Sequence, residues 1–173
     1  LSTVNMISMG LFADGAVAAI LAGAERSSAG PAIVANRSVF YPDTEEIMGW
    51  DISEKGFAIV LSQHLPELIK RRLGADVDSF LAANKLARSD IKSWIIHPGG
   101  PKILQAVETA LGLCHRELAL SWESLAEFGN LSSGSVLKVL EAAMTTRRPE
   151  AGAPGLILAM GPGFCSEMML VRW

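Results

Sequence analysis

Ser93-Trp94-Ile95-Ile96-His97-Pro98-Gly99-Gly100-Pro101-Lys102-Ile103-Leu104 is the stretch around which the rest of the chain is read. Trp94-Ile95-Ile96 is an apolar run of strand type, and it delivers a histidine into Pro98-Gly99-Gly100-Pro101. Two prolines and two glycines break both helix and sheet. Proline suits the first position of a helix, where its missing amide hydrogen would have no partner. Ile103, Leu104, Val107 and Leu111 then form one helical stripe, closed by Gly112. The order strand, loop, helix places a reactive imidazole at the end of a strand, and it marks an α/β domain.

Working outward, Ile91–Ile96 is the expected strand, introduced by Ser89-Asp90. On the N-terminal side, Leu65, Leu68, Ile69 and Leu73 repeat at helical spacing, and Gly74 is expected to end that helix. Phe80, Leu81 and Leu86 mark a second short helix. His64 sits at a surface or boundary position. Gly49–Ile52 and Phe57–Leu61 read as a hairpin around Ser53-Glu54-Lys55-Gly56. Residues 29–43 mix Pro, Gly and Asn with short apolar pieces and read as strand and loop. The run from Gly15 to Ala22 reads as a buried strand, with helix left open by its alanines. Asp14 before it is a turn residue whose carboxylate would cap local amides.

Downstream, Ser121–Phe128 is a short helix ending at Gly129. Ser132 and Ser133 offer hydroxyl caps to a helix carrying Val136, Leu137, Leu140 and Met144, which Arg147-Arg148-Pro149 stops. Gly155–Met160 and Phe164–Val171 are apolar strands joined through Gly161-Pro162-Gly163. Strands alternating with helices and a closing hairpin predict a mixed sheet packed against helices. Residues 1–173 form one domain, without an internal repeat or linker.

Composition narrows the function. Half of the residues are hydrophobic and 19% are charged, so the chain can bury a sizeable core. A net charge of −3 with scattered cations argues against nucleic acid or an anionic membrane as partner. The two cysteines, Cys114 and Cys165, form neither a disulfide framework nor a zinc motif, and a reduced, cytoplasmic setting fits. No apolar stretch is long enough to span a bilayer. The start, Leu1-Ser2-Thr3-Val4-Asn5-Met6, lacks a basic leader and reads as that of a processed product or an excised piece.

Three loops stand out as candidate sites: residues 97–101, 129–133 and 160–163. Each follows an element and breaks into glycine-rich backbone, where a rigid scaffold places functional groups. His97 offers a ring N–H and Asn130 an uncharged amide donor. Two such donors on one oxygen stabilise an enolate or a tetrahedral oxyanion. Residue types alone leave open a hydrogen-bonded structural histidine and an asparagine of a plain turn.

His97-Pro98-Gly99-Gly100-Pro101, Gly129-Asn130-Leu131-Ser132-Ser133 and Gly161-Pro162-Gly163, in this order, resemble the C-terminal half of a type III polyketide synthase, the chalcone synthase-like family. Leu11-Phe12-Ala13-Asp14-Gly15-Ala16 is similar to the family's Leu-Phe-Gly-Asp-Gly-Ala. The resemblance implies the C-terminal half of a thiolase-like fold. It also implies an acyltransferase that condenses malonyl-CoA units onto an acyl-CoA starter by decarboxylative Claisen condensation. His97 and Asn130 would hold the thioester oxygen during decarboxylation, and His97 would pair with a cysteine thiolate. Phe12 matches a gatekeeper phenylalanine, and Ile59 falls where a second gatekeeper stands. Trp50 falls at a cavity position that is glycine in plant enzymes. Ala159-Met160-Gly161-Pro162-Gly163 stands where plant enzymes carry a Gly-Phe-Gly-Pro-Gly cavity loop, so Gly161, Pro162 and Gly163 match it and Met160 departs from it. Lys102 and Ser132 are placed at the CoA side, although Lys102 also fits an ordinary exposed lysine.

The family's nucleophilic cysteine and its N-terminal CoA-binding cations belong to an N-terminal half with no match in this chain. The resemblance therefore implies an N-terminal partner half and homodimers. Coenzyme A thioesters enter as substrates, and no cofactor or metal is required. Alone, the chain is expected to be inactive and to self-associate. The alternatives are a non-catalytic interaction or vestigial thiolase-fold domain, and a β-ketoacyl carrier-protein synthase III-like enzyme.

Overall fold

A computed structural model describes residues 3–26, 30–54 and 56–173; Leu1, Ser2, Ala29 and Lys55 of the stretches read above lie outside them. A four-stranded sheet in the order β1-β6-β5-β4 is built from β1 (Ala32–Phe40), β4 (Ser93–Ile96), β5 (Pro154–Gly161) and β6 (Cys165–Arg172). β4 runs parallel to β5, and β6 runs antiparallel to both β5 and β1. The mixed sheet is thus present, and its topology has one consequence for function. β1, β4 and β5 all finish at the same edge.

Helices cover both faces. α2 (Leu65–Ala83) and α3 (Pro101–Leu111) pack through Leu73, Val77, Leu104 and Val107 onto the face formed by Trp94, Ile96, Leu156 and Leu158. α5 (Gly134–Thr145) covers the other face, where Ile95 meets Val139 and Ala143. α4 (Ala119–Phe128) lies between α3 and α5 and contributes Trp122 and Leu125 to the larger core. The alternation of Trp94, Ile95 and Ile96 between the two cores is the period-2 geometry of a strand buried on both faces. β2 (Met48–Ser53) and β3 (Gly56–Leu61) form the expected antiparallel hairpin as a separate sheet, and α1 (Thr3–Leu11) packs against β3.

Four local expectations are corrected. Gly74 does not end a helix: α2 runs through it to Ala83 and takes in Phe80 and Leu81. A β-carbon at Gly74 would lie 2.8 Å from the Ala110 carbonyl and 3.0 Å from the Arg88 guanidinium, so this glycine lets α2 and α3 approach. Arg88 closes the same contact, donating to the carbonyls of Gly74 and Ala110 while its fork pairs with Asp78. Ser89-Asp90 belongs to a short 3-10 turn, Arg88–Asp90, and the strand begins only at Ser93. At α5, neither Ser132 nor Ser133 caps through its side chain; Ser135 Oγ instead accepts from the Leu131 amide.

The fourth correction is the largest. Residues 13–23 are irregular and exposed rather than a buried strand, with Ile20 98% and Leu21 75% accessible. No strand of the described sheets pairs with this segment. Only its beginning is anchored, where a β-carbon on Gly15 would meet Leu131 and one on Gly134 would meet Val17. Asp14, exposed, caps no amide among the described residues.

Candidate active site

The site is assembled at the edge where β4 and β5 end. The His97 amide donates to the Leu158 carbonyl, extending the β4–β5 ladder by one residue, and the Gly99 amide then turns back onto the His97 carbonyl. The imidazole leaves the sheet at this turn. A β-carbon at Gly99 would lie 3.5 Å from the imidazole Cδ2 and 3.3 Å from Ile103, so a side chain there would crowd the ring. Gly100 follows with φ +147° and faces Leu11, and α3 starts at Pro101 as expected. The carbonyl of Ile96, on the strand edge away from β5, accepts a hydrogen bond from the buried Ser121 hydroxyl at 2.8 Å. α4 therefore fixes the strand end from which His97 projects.

His97 is half-buried, and its ring makes no hydrogen bond among the described residues. Burial pulls its pKa down from 6.5 to about 4, so the imidazole is neutral at pH 7 and carries one N–H. A neutral ring with a free donor is suited to hold a carbonyl oxygen.

Asn130 is brought to the same place by the C-terminus of α4. It is 4% accessible. Its Nδ2 donates to the Gly99 carbonyl at 3.2 Å, and its Oδ1 accepts from the Ser132 amide at 2.8 Å. The second pairing fixes which end of the amide is the donor, so Nδ2 faces the carbonyl of the histidine loop. The backbone is tied just as firmly: the Asn130 amide donates to Leu11 at 2.8 Å, and Ala13 donates to the Asn130 carbonyl at 3.0 Å. Phe12 is held between them, in a parallel bridge with Asn130. Gly129 is required here, because it has φ +71° and a β-carbon would lie 3.1 Å from the Leu11 carbonyl.

Of the other expected positions, Met160, Gly161, Pro162 and Gly163 end β5 and turn at the same sheet edge as His97. Lys102 is exposed in the first turn of α3, and Ser132 is exposed with φ +56° beside Asn130. Trp50 and Ile59 face each other across the hairpin. Its register puts Met48, Trp50 and Ile52 on one face with Leu61, Ile59 and Phe57. At the open end Met48 and Leu61 pack on the core, while Trp50 and Phe57 stay exposed and meet edge to face at 6.2 Å. Sequence reasoning named two of these six. Cross-strand register, once the hairpin is accepted, is the signal that yields the others. Leu11 acts through its backbone carbonyl and Ser121 through a hydroxyl that reaches a distant backbone carbonyl, and nothing in their local sequence marks either contact.

Neither cysteine is built as a nucleophile. Burial, then the Glu167 carboxylate, push the Cys165 thiol up, and its Sγ lies 3.5 Å from the Pro162 carbonyl; Cys114 is exposed on the loop after α3. Among the described residues no three His, Cys, Asp or Glu side chains are grouped to hold a metal. No described helix is long and apolar enough to cross a membrane.

A mixed sheet between helices, with a histidine loop and an asparagine loop meeting at its edge, defines the C-terminal half of a thiolase-like fold. Residues 32–173 match the model for chalcone and stilbene synthases, C-terminal domain, and the chain belongs to that family, the type III polyketide synthases. It is 47% identical over 175 residues to 1,3,6,8-tetrahydroxynaphthalene synthase of Streptomyces peucetius subsp. caesius, covering 99% of this chain and 46% of that protein. It is 35% identical to a putative chalcone synthase of Bacillus subtilis, covering 98% and 48%. The crystal structure of 1,3,6,8-tetrahydroxynaphthalene synthase from Streptomyces coelicolor superposes with a TM-score of 0.81 at 30% identity, over 86% of this chain and 42% of that one. The chain thus spans about half the length of the relatives it matches. The family match begins at residue 32, so the irregular segment 13–23 lies outside the matched domain.

Proposed function

We propose that this chain supplies the C-terminal half of a type III polyketide synthase active site, condensing malonyl-CoA onto an acyl thioester. The observation that carries the reading is the tie between Asn130 and the His97 loop, which sets two uncharged donors at one sheet edge.

In this mechanism the thioester oxygen of malonyl-CoA accepts from the His97 ring N–H and from Asn130 Nδ2. Loss of carbon dioxide leaves an enolate whose negative oxygen those donors stabilise without being charged themselves. The enolate carbon attacks an acyl group carried as a cysteine thioester, the new C–C bond forms, and the thiolate departs. The cysteine belongs to the N-terminal half of the same enzyme. A thiolate beside His97 would raise the histidine's pKa again, because a nearby anion favours the imidazolium, and the two would pair between cycles. Phe12 stands next to Asn130 as a gate residue. The apolar hairpin face with Trp50 and Ile59, together with Met160–Gly163, lines the space for the growing chain. Lys102 and Ser132 lie towards the CoA phosphates and pantetheine. The complete enzyme is a cytoplasmic homodimer without cofactor, and this half alone does not condense.

The test uses the complete synthase and malonyl-CoA decarboxylation. His97→Gln and Asn130→Asp should each lower it by at least about a hundredfold, the scale of one lost oxyanion donor. Unchanged decarboxylation in both variants would overturn the assignment.

A further inference from the structure

The Gly161-Pro162-Gly163 turn is not held by its own strands alone. Beyond the end of β1, the Tyr41 amide donates to the Phe164 carbonyl at 3.0 Å, and the Phe164 amide donates to Thr44 Oγ1 at 2.8 Å. The Thr44 hydroxyl in turn donates to the Tyr41 carbonyl, closing a loop of three hydrogen bonds. The rings of Tyr41 and Phe164 stack with centroids 5.7 Å apart. At its far end the buried Tyr41 hydroxyl donates to Asp76 of α2 at 2.7 Å and lies 3.2 Å from Ser166 Oγ on β6. Tyr41 therefore joins three elements, the end of β1, the middle of α2 and the start of β6, at the residue that follows the turn.

Two features make this more than core packing. An apolar ring would stack on Phe164 equally well, whereas a buried hydroxyl is worth its desolvation only where its partner is fixed. A cavity of about 180 Å³ also lies beside the clamp, lined in part by Thr44, Leu68 and Arg72, which gives the tyrosine room to shift once its tether is cut. The position of the turn matters to the site. β5 hands its Leu158 carbonyl to the His97 amide, and Gly161 lies three residues further on, roughly 10 Å along the strand. That is the reach of a chain extended by a few acetate units. Burial holds the phenol up at about 12, so the donor to Asp76 persists across the working pH range.

We propose that Tyr41 is a positioning residue: by tying the Gly161–Gly163 turn to Asp76 of α2, it sets the wall against which the growing polyketide folds, and so influences product length. The proposal rests on the function proposed above. Tyr41 touches no reacting atom.

The experiment uses the complete synthase with malonyl-CoA as the only thioester, its decarboxylation supplying the acetyl starter, and reads two quantities. One is the rate of malonyl-CoA decarboxylation; the other is the ratio of short to long products by mass spectrometry. Tyr41→Phe removes only the hydroxyl and should leave decarboxylation within about twofold of wild type. The product ratio should shift by about fivefold, the scale of one buried hydrogen bond. Asp76→Asn keeps an acceptor oxygen and should shift the ratio less. A folded Tyr41→Phe enzyme with wild-type products overturns the inference while leaving the function intact. If Tyr41→Phe does not fold, an unchanged ratio in Asp76→Asn overturns it as well. A wild-type enzyme that does not decarboxylate malonyl-CoA overturns both readings.

Discussion

The side-chain amide of Asn130 donates to the main-chain carbonyl of Gly99 at 3.2 Å, so the asparagine loop and the histidine loop are one hydrogen-bonded unit. Asn130→Ala should therefore lower stability as well as activity. The loss expected for one buried hydrogen bond is about 1 kcal/mol. Asn130→Asp should be worse: its carboxylate keeps the acceptor for the Ser132 amide but turns a negative oxygen on the Gly99 carbonyl. Urea melts of the three proteins should rank wild type above Ala above Asp.

His97 makes the chain sensitive to acid. Its folded pKa of about 4 lies below the unfolded 6.5, so the unfolded state binds the proton more readily. The stability contributed by keeping the ring neutral is fully present above pH 6.5. It is lost as pH falls towards 4, by up to about 3 kcal/mol. His97→Gln should flatten the melting temperature between pH 7 and 4. Equal slopes for the variant and wild type would mean that the acid sensitivity comes from other groups.

At the contact of α2 and α3, Gly74→Ala should destabilise the chain despite the better helix propensity of alanine. The added methyl would lie 2.8 Å from a backbone oxygen, and backbone can yield only by moving a helix. A net loss of about 1–3 kcal/mol is expected from such overpacking, after a gain of up to about 1 from propensity. Equilibrium denaturation measures it directly.

Lys102 is exposed in the first turn after the histidine loop, and under the proposed function it meets a CoA phosphate rather than the reacting carbons. In the complete synthase Lys102→Ala should raise KM for malonyl-CoA about threefold to tenfold with kcat nearly unchanged, the signature of lost uniform binding. A fall in kcat with constant KM would place Lys102 in the chemistry instead.

Ile20 and Leu21 project from an irregular segment into solvent, and Trp50 and Phe57 from the hairpin. The chain as it stands should self-associate at micromolar concentration and bind a hydrophobic dye. Ile20→Ser with Leu21→Ser should reduce both without lowering the melting temperature, because these side chains are exposed. Sedimentation that shows a monomer would contradict the expectation.

The helical stripes, the strand ends and the two loops that meet at the site were legible in the sequence because each rests on local chemistry. Pro101 can begin a helix, Gly112 can end one at φ +68°, and Trp94-Ile95-Ile96 is apolar on both sides because both faces of β4 are covered. Gly74 shows where that logic stops. A glycine that ends a helix and a glycine that admits another helix read alike in one dimension, and only the Ala110 carbonyl, 36 positions away, distinguishes them. The segment from Gly15 to Ala22 is the same lesson reversed: its apolar composition states that it should be buried, but burial needs a partner edge, and composition does not say where that edge is. His97 and Asn130 could each be named from the sequence. That one amide reaches the carbonyl of the other loop, that the imidazole is neutral, and that Tyr41 clamps the turn at the same sheet edge were decided only by the tertiary structure, because desolvation and convergence depend on what packs around a residue rather than on what precedes it.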